Sequence, residues 1–305
     1  NASGQELLLG LISASTYSGD VLLRKTGAGN LRVAYAGANT FGGDIVLNNT
    51  QALGSIAFCE GTGAAATLAS GKKFLVGPSG VSAGTVLVQN ITQSSATDQD
   101  FTFTGNASLN LAKGNNFAGN VNVDLVGTGV ATIGATNTLN GKNTITAPQL
   151  FLSGTTFGDS TWITKTGIAN NTSNGSNTFN GFVSISLAPT AGGYLRTNYG
   201  NTFAGNVVVS NSSGYEILLD YLSGSTYNGN VVLNKTGAGN VRVAYSGTNV
   251  FNENIELNCT HATGGIYLGE ATAAAITLAS GKTIAAGSVG ITAGVVSIRN
   301  FTQLG

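Results

Sequence analysis

Along the chain, apolar residues recur in pairs two positions apart, each pair four and six residues after an aromatic. Val21 and Leu23 follow Tyr17, Val121 and Val123 follow Phe117, and Val207 and Val209 follow Phe203. Positions i, i+4 and i+6 share one parity, so on a strand all three side chains point the same way. The aromatic itself sits in a step of Thr or Asn, aromatic, any residue, Gly. It recurs at Tyr17, Phe41, Phe117, Phe179, Phe203, Tyr227 and Phe251, with Phe157 a partial match and Leu139 a weaker one. Tyr17 and Phe41 have the same spacing as the even run Phe179, Phe203, Tyr227 and Phe251, and the spacing tightens from Phe117 through Leu139 and Phe157 to Phe179. About ten residues after each pair comes a second apolar run, such as Leu31–Tyr35 or Val241–Tyr245, and Gly-, Asn- and Ser-rich turns separate the runs. No helical periodicity competes with this pattern.

A longer period contains the short one. Lys25-Thr-Gly-Ala-Gly-Asn recurs at Lys235 and Thr67-Leu-Ala-Ser-Gly-Lys at Thr277, both displaced by 210, and the same displacement aligns residues 1–95 with 211–305 without a gap. The repeat unit is therefore residues 1–210, and residues 211–305 open a second copy. Short strands repeated with the same inward set predict an all-β fold, a parallel β-helix (β-solenoid) with ~18–24-residue coils inside the 210-residue tandem repeat. About thirteen coils at ~4.8 Å each would make a rod on the order of 60 Å long. Its core would be a structural aromatic ladder formed by the seven full-motif aromatics. Asn39, Asn177 and Asn201, each two residues before its aromatic, would form a turn ladder sharing amide hydrogen bonds between coils. Residues 61–99 lack the aromatic step and are rich in Ala and Gly, so slimmer coils with small residues inside are expected there; their register is not readable. Both terminal segments keep the repeat pattern, which predicts a longer array in both directions.

Composition changes this picture only by exclusion. Glycine is 45 of 305 residues, roughly twice the usual ~7%. Charged residues are 9%, against a usual ~25%, and 13 cations balance 13 anions. A neutral surface offers no basic face for nucleic acid and no polybasic segment for an anionic membrane. No apolar run reaches the ~18–20 residues that span a bilayer.

Candidate chemistry is sparse. Asp98 and Asp100 share a strand parity but have no nearby base in sequence, and polysaccharide-cleaving sites need clustered carboxylates. Glu253 and Glu256 answer to Gly43 and Val46 in the first copy, which favours surface drift. His261, the sole histidine, answers to Gln51 and has no metal-ligand spacing around it. Gly27-Ala-Gly29 lacks the helix a phosphate loop needs, and calcium-binding nonapeptides are missing. No enzyme activity, cofactor or metal is expected. Cys59 and Cys259 lie too far apart along a solenoid to pair, and are expected as free thiols.

Asn177-Thr-Phe-Asn-Gly, Ala147–Leu152, Thr164-Lys-Thr-Gly and Leu278-Ala-Ser-Gly-Lys resemble repeats of giant surface proteins of Bacteroidetes-type gliding bacteria. The Asn-Thr-Phe-x-Gly step is also similar to autotransporter-associated β-strand repeats. This resemblance implies export by the type IX route and a cell-surface or filament role, including grappling-hook-like filaments, and it transfers no catalytic residue. The expected function is thus a non-catalytic, self-associating (homo-oligomeric) segment of an extracellular filament or stalk. The alternative is an adhesin module for surface glycans or prey or host cells, with Tyr35 and Tyr245 as candidate contacts. Ice binding would need a flat Thr-x-Thr array on every coil, and only Thr102-Phe-Thr104 and Thr144-Ile-Thr146 qualify.

Overall fold

The computed structural model describes residues 1–305. It is an all-β parallel solenoid without helix. The chain forms two compact units, Asn1–Pro148 and Gln149–Gly305, so the end of the 210-residue sequence repeat lies inside the second.

Each coil carries up to three short strands on three faces. In the first unit one coil is formed by Val21–Lys25, Leu31–Val33 and Ala38–Phe41, and in the second unit one is Val231–Lys235, Val241–Val243 and Thr248–Phe251. Successive coils pair in parallel on every face. Val207 lies against Val231 and Val231 against Ile255 on the first face, while Thr202 lies against Thr226 on the third. The period-2 pattern explains the burial. In Val183–Leu187 the residues Val183, Ile185 and Leu187 point into the core, and Ser184 and Ser186 point out.

Register sets the coil length. Val121 pairs with Asn143, Val207 with Val231, Ile45 with Phe74 and Ile255 with Ile284. The sequence separation across a coil is thus 22 at Asn120 and Lys142, 24 at Asn206 and Asn230, and 29 at both Asp44–Lys73 and Asn254–Thr283. Coils therefore exceed the expected upper length over one continuous stretch in each copy. Most of the extra residues lie in the loops that precede an eight-residue strand, Phe74–Val81 or Ile284–Ile291, and that strand adds more through a register shift. A bulge of this kind absorbs surplus chain without breaking the coil stack. The expectation of slim, small-residue coils over 61–99 is accordingly corrected. Phe74, Val81, Val86, Val88 and Ile91 are all buried there, alongside Ala64 and Ala66.

The corner between the second and third faces needs a left-handed residue. Gly10 (φ 69) and Asp220 (φ 65) occupy it at the same place in the two copies, as do Ala34 and Ala244 (φ 53 each) and Cys59 (φ 54) and Gly269 (φ 65). Left-handed backbone costs a non-glycine residue roughly 1–2 kcal/mol, which the burial of the adjoining strands offsets.

Candidate functional site

Two ladders run inside the coils. In the second unit the rings of Phe157, Phe179, Phe203, Tyr227 and Phe251 stack face to face with centroids 4.5–5.1 Å apart and planes within 13°. That spacing is the strand separation itself, so in-register pairing places each ring directly on the next. In the first unit Tyr17, half-buried, stacks on Phe41 at 4.8 Å, and there the column ends. The next coil presents Leu68, and the aromatic line moves sideways through Phe58, Phe74, Phe101 and Phe103 by tilted and edge contacts at 5.3–6.4 Å. Phe117 corrects the expected ladder. It is buried, but its register partners are Gln93 and Leu139, so no ring stacks on it.

The asparagine positions lie inside, two residues before each ladder residue. Asn39, Asn177 and Asn201 are all buried. Asn201 Oδ1 accepts from both the backbone N–H and the Nδ2 of Asn177, at 3.1 and 3.0 Å. Asn39 Oδ1 accepts from Ser15 N–H at 2.9 Å, and its Nδ2 donates to the carbonyls of Ala36 and Gly37. Asn115, Asn137, Ser225 and Asn249 continue the same job, although sequence reasoning passed over them. Asn115 donates to Asn137 Oδ1 at 3.0 Å, Asn201 N–H donates to Ser225 Oγ at 2.7 Å, and Ser225 N–H to Asn249 Oδ1 at 2.9 Å. The signal that could have found them is position relative to the inward residue, not the Asn-Thr-Phe string. Asn201→Ala would orphan two buried donors on Asn177, so a loss of about 2 kcal/mol is expected; denaturant titration showing less than half of that would remove the ladder's energetic role.

Several buried groups carry charge or could. Lys25, Lys165 and Lys235 close the first-face strands from within and point their ammonium groups at backbone carbonyls. Lys235 Nζ donates to Gly237 at 2.9 Å and to Thr263 at 2.5 Å, binding its own loop to that of the next coil, and Lys25 reaches Gly27 and Leu53 in the same way. Lys165 donates to Gly167 at 2.6 Å. Burial pushes Lys165 down to about 8 and lowers Lys25 and Lys235. Asp220 is fully buried; its carboxylate accepts from Tyr227 Oη at 2.8 Å and from Ser225 Oγ. Burial raises its pKa to about 6 despite those hydrogen bonds. Cys59 and Cys259 are free and buried, and burial pushes the Cys59 thiol up to about 12, far from a reactive thiolate.

The carboxylates considered as acids or bases are already engaged. Asp100 accepts from Thr102 Oγ1 and Asn122 Nδ2, and Asp98 from the Asn120 N–H. Glu253 pairs with Lys282 at 2.7 Å, and Glu256 accepts from Asn258 Nδ2. His261 Nδ1 contacts Thr263 Oγ1. An open groove of about 360 Å³ runs past Asn230, Asn254, Glu256 and Thr283, with Glu256 its sole ionisable lining group.

Two outer features stand out. On the second face, Glu6–Arg32–Glu60 and Glu216–Arg242–Glu270 form matching ion-pair chains at 2.8–3.3 Å, one in each sequence copy. Beside the second chain, Arg196 lies over Tyr194 and Tyr221, and Tyr221 stacks on Tyr245 at 5.4 Å. Tyr35, the counterpart of Tyr245, has Arg32 over its ring at 5.6 Å.

The third face carries a file of threonines on most coils, interrupted by Asn116 after Thr92 and by Val250 after Thr226. In the first unit Thr16 pairs in register with Thr40, Thr40 with Thr67 and Thr67 with Thr92. In the second unit the file runs Thr156, Thr178, Thr202, Thr226, then Val250, Thr277 and Thr302. Each is the outward neighbour of an inward ladder position, so the alternation turns the threonine outward: Thr16, Thr40, Thr67, Thr92, Thr202 and Thr302 are exposed, and Thr156, Thr178, Thr226 and Thr277 half-buried.

Searches against protein-family models, curated proteins and solved structures return no match for this chain.

Proposed function

We propose that this chain is a non-catalytic structural segment of an extracellular filament or cell-surface stalk, and that it self-associates. The observation that carries this reading is where the two sequence copies agree. The Lys-Thr-Gly loops, the left-handed corners and the Glu–Arg–Glu chains recur in both copies at the same repeat positions, and the lysines and ion-pair chains hold one coil on the next. Glu253, Glu256 and His261, the residues with chemistry to offer, have no like residue in the first copy. Repetition thus preserves stacking and lets surface chemistry drift, as a load-carrying element requires. The resemblance to surface repeats of gliding bacteria supports the same location and an export route of type IX. Immunogold labelling of source cells with antibody to this chain tests the reading. Label on thin filaments outside the cell is expected, and label confined to the cytosol overturns it.

A second reading, an adhesin module for surface glycans, draws on the Tyr194–Arg196–Tyr221–Tyr245 stack, since planar aromatics beside a guanidinium suit sugar faces.

A further inference from the structure

We infer that the threonine face of each unit is a docking face for a second copy of this chain, so that solenoids associate side by side through it. The inference rests on the structural reading above and names the surface that reading leaves open. Three properties of the face lead to a second copy.

First, the face is uncharged. The threonine file is flanked two residues away on either side by small or neutral residues, such as Ala38 and Gly42 around Thr40, Gly200 and Ala204 around Thr202, and Gly224 and Asn228 around Thr226. Two such faces meet without repulsion and without burying an ion.

Second, its polar groups suit their own kind. None of the file's hydroxyls is hydrogen-bonded within the chain, whereas the inward Asn ladder one strand position away is satisfied. A hydroxyl both donates and accepts, so a face of hydroxyls and amides is satisfied by an identical face. A carboxylate or ammonium face could not do this.

Third, the period matches. The hydroxyls recur at the strand spacing of ~4.8 Å, and a second copy has that spacing by construction. Contacts between two copies therefore stay in step from coil to coil, while a partner of different period would drift out of register within a few coils.

Size sets the strength. Seven strands at ~4.8 Å and a width of about five residues at ~3.3 Å give the second unit's face roughly 550 Å². A stable pair usually buries about 800 Å² per partner. One unit's face therefore supports weak, reversible pairing, and affinity should grow with the number of coils engaged.

The test is sedimentation velocity of the full 305-residue chain over a concentration series. The wild-type chain is expected to associate reversibly. Thr40→Lys/Thr92→Lys/Thr202→Lys and the matching triple Glu variant should each associate at least ten-fold more weakly, because like charges then face each other. An equimolar mixture of the two should associate again, an outcome that misfolded variants cannot give. Ser184→Lys, on the first face, should behave as wild type. A wild-type chain that stays monomeric throughout, a mixture no stronger than its components, or association lost in Ser184→Lys would each overturn the inference. So would a monomeric chain that instead adsorbs to ice or to crystalline cellulose through this face. If native filaments are seen at the cell surface while the purified chain stays monomeric, this inference fails and the structural reading stands.

Discussion

Phe203→Ala is expected to destabilise the second unit by about 3–5 kcal/mol, the cost of an unfilled aromatic cavity. The ring is fully buried between Phe179 and Tyr227, at 5.1 and 4.9 Å, and both contacts are parallel stacks. The site has little room to collapse. Strands on all sides are pinned by backbone pairing, and a small apolar void of about 20 Å³ already borders Phe203, Ile185 and Leu219. Phe117→Ala is the informative comparison. It deletes a similar volume but no ring stack, and each stack adds about 0.5–1.5 kcal/mol beyond area. The two losses should differ by about 1–3 kcal/mol, with Phe203 the larger. Equilibrium denaturation of both variants decides it, and equal losses would show that stacking adds nothing to burial.

The stability of the chain should fall by on the order of 3 kcal/mol between about pH 4 and pH 7 through Asp220 alone. Its carboxyl titrates near 3.8 when free and about 6 in the fold. The folded state thus holds this proton more tightly than the unfolded state, and between those two values the native form binds more protons. Stability from this group is full below the unfolded value and is lost as pH rises through the folded one. The direction is opposite to that of an ordinary salt-bridged carboxylate. In the first copy Gly10 and Tyr17 stand where the second copy has Asp220 and Tyr227. The double variant Asp220→Gly/Tyr227→Phe removes the carboxyl, relieves a left-handed non-glycine and leaves no phenol without a partner. Thermal denaturation on either side of the folded value should show the wild-type difference shrink in the double variant. An unchanged difference would assign the pH dependence to other groups.

Much of the solenoid was legible in the sequence. Val21, Leu23, Val207 and Val209 could be assigned inward because strand parity is a local rule: a residue two positions on faces the same way whatever the rest of the chain does. The long repeat was equally legible, since it compares sequence with sequence. For the same reason Asn177 and Asn201 could be named as one ladder before any geometry was known.

Which residue lies on which could not be read locally, because vertical neighbours are set by coil length. Coils of different lengths give the same strand pattern but hand a different residue to the coil beside them. That is why Phe117 meets Gln93 and Leu139, and why Phe74 enters the core of a segment that reads as Ala- and Gly-rich. The asparagine ladder, by contrast, passes through Ser225 and Asn249 at an even spacing of 24, so position relative to the inward residue is enough to find them. The threonine file was missed for a related reason. A search along one strand for Thr-x-Thr looks in the chain direction, whereas the file runs across strands, where only register brings Thr16, Thr40, Thr67 and Thr92 into line. Parity within a strand is settled by covalent geometry and belongs to the sequence. Register between coils is settled by how much chain each turn and bulge absorbs, and only the folded structure decides that.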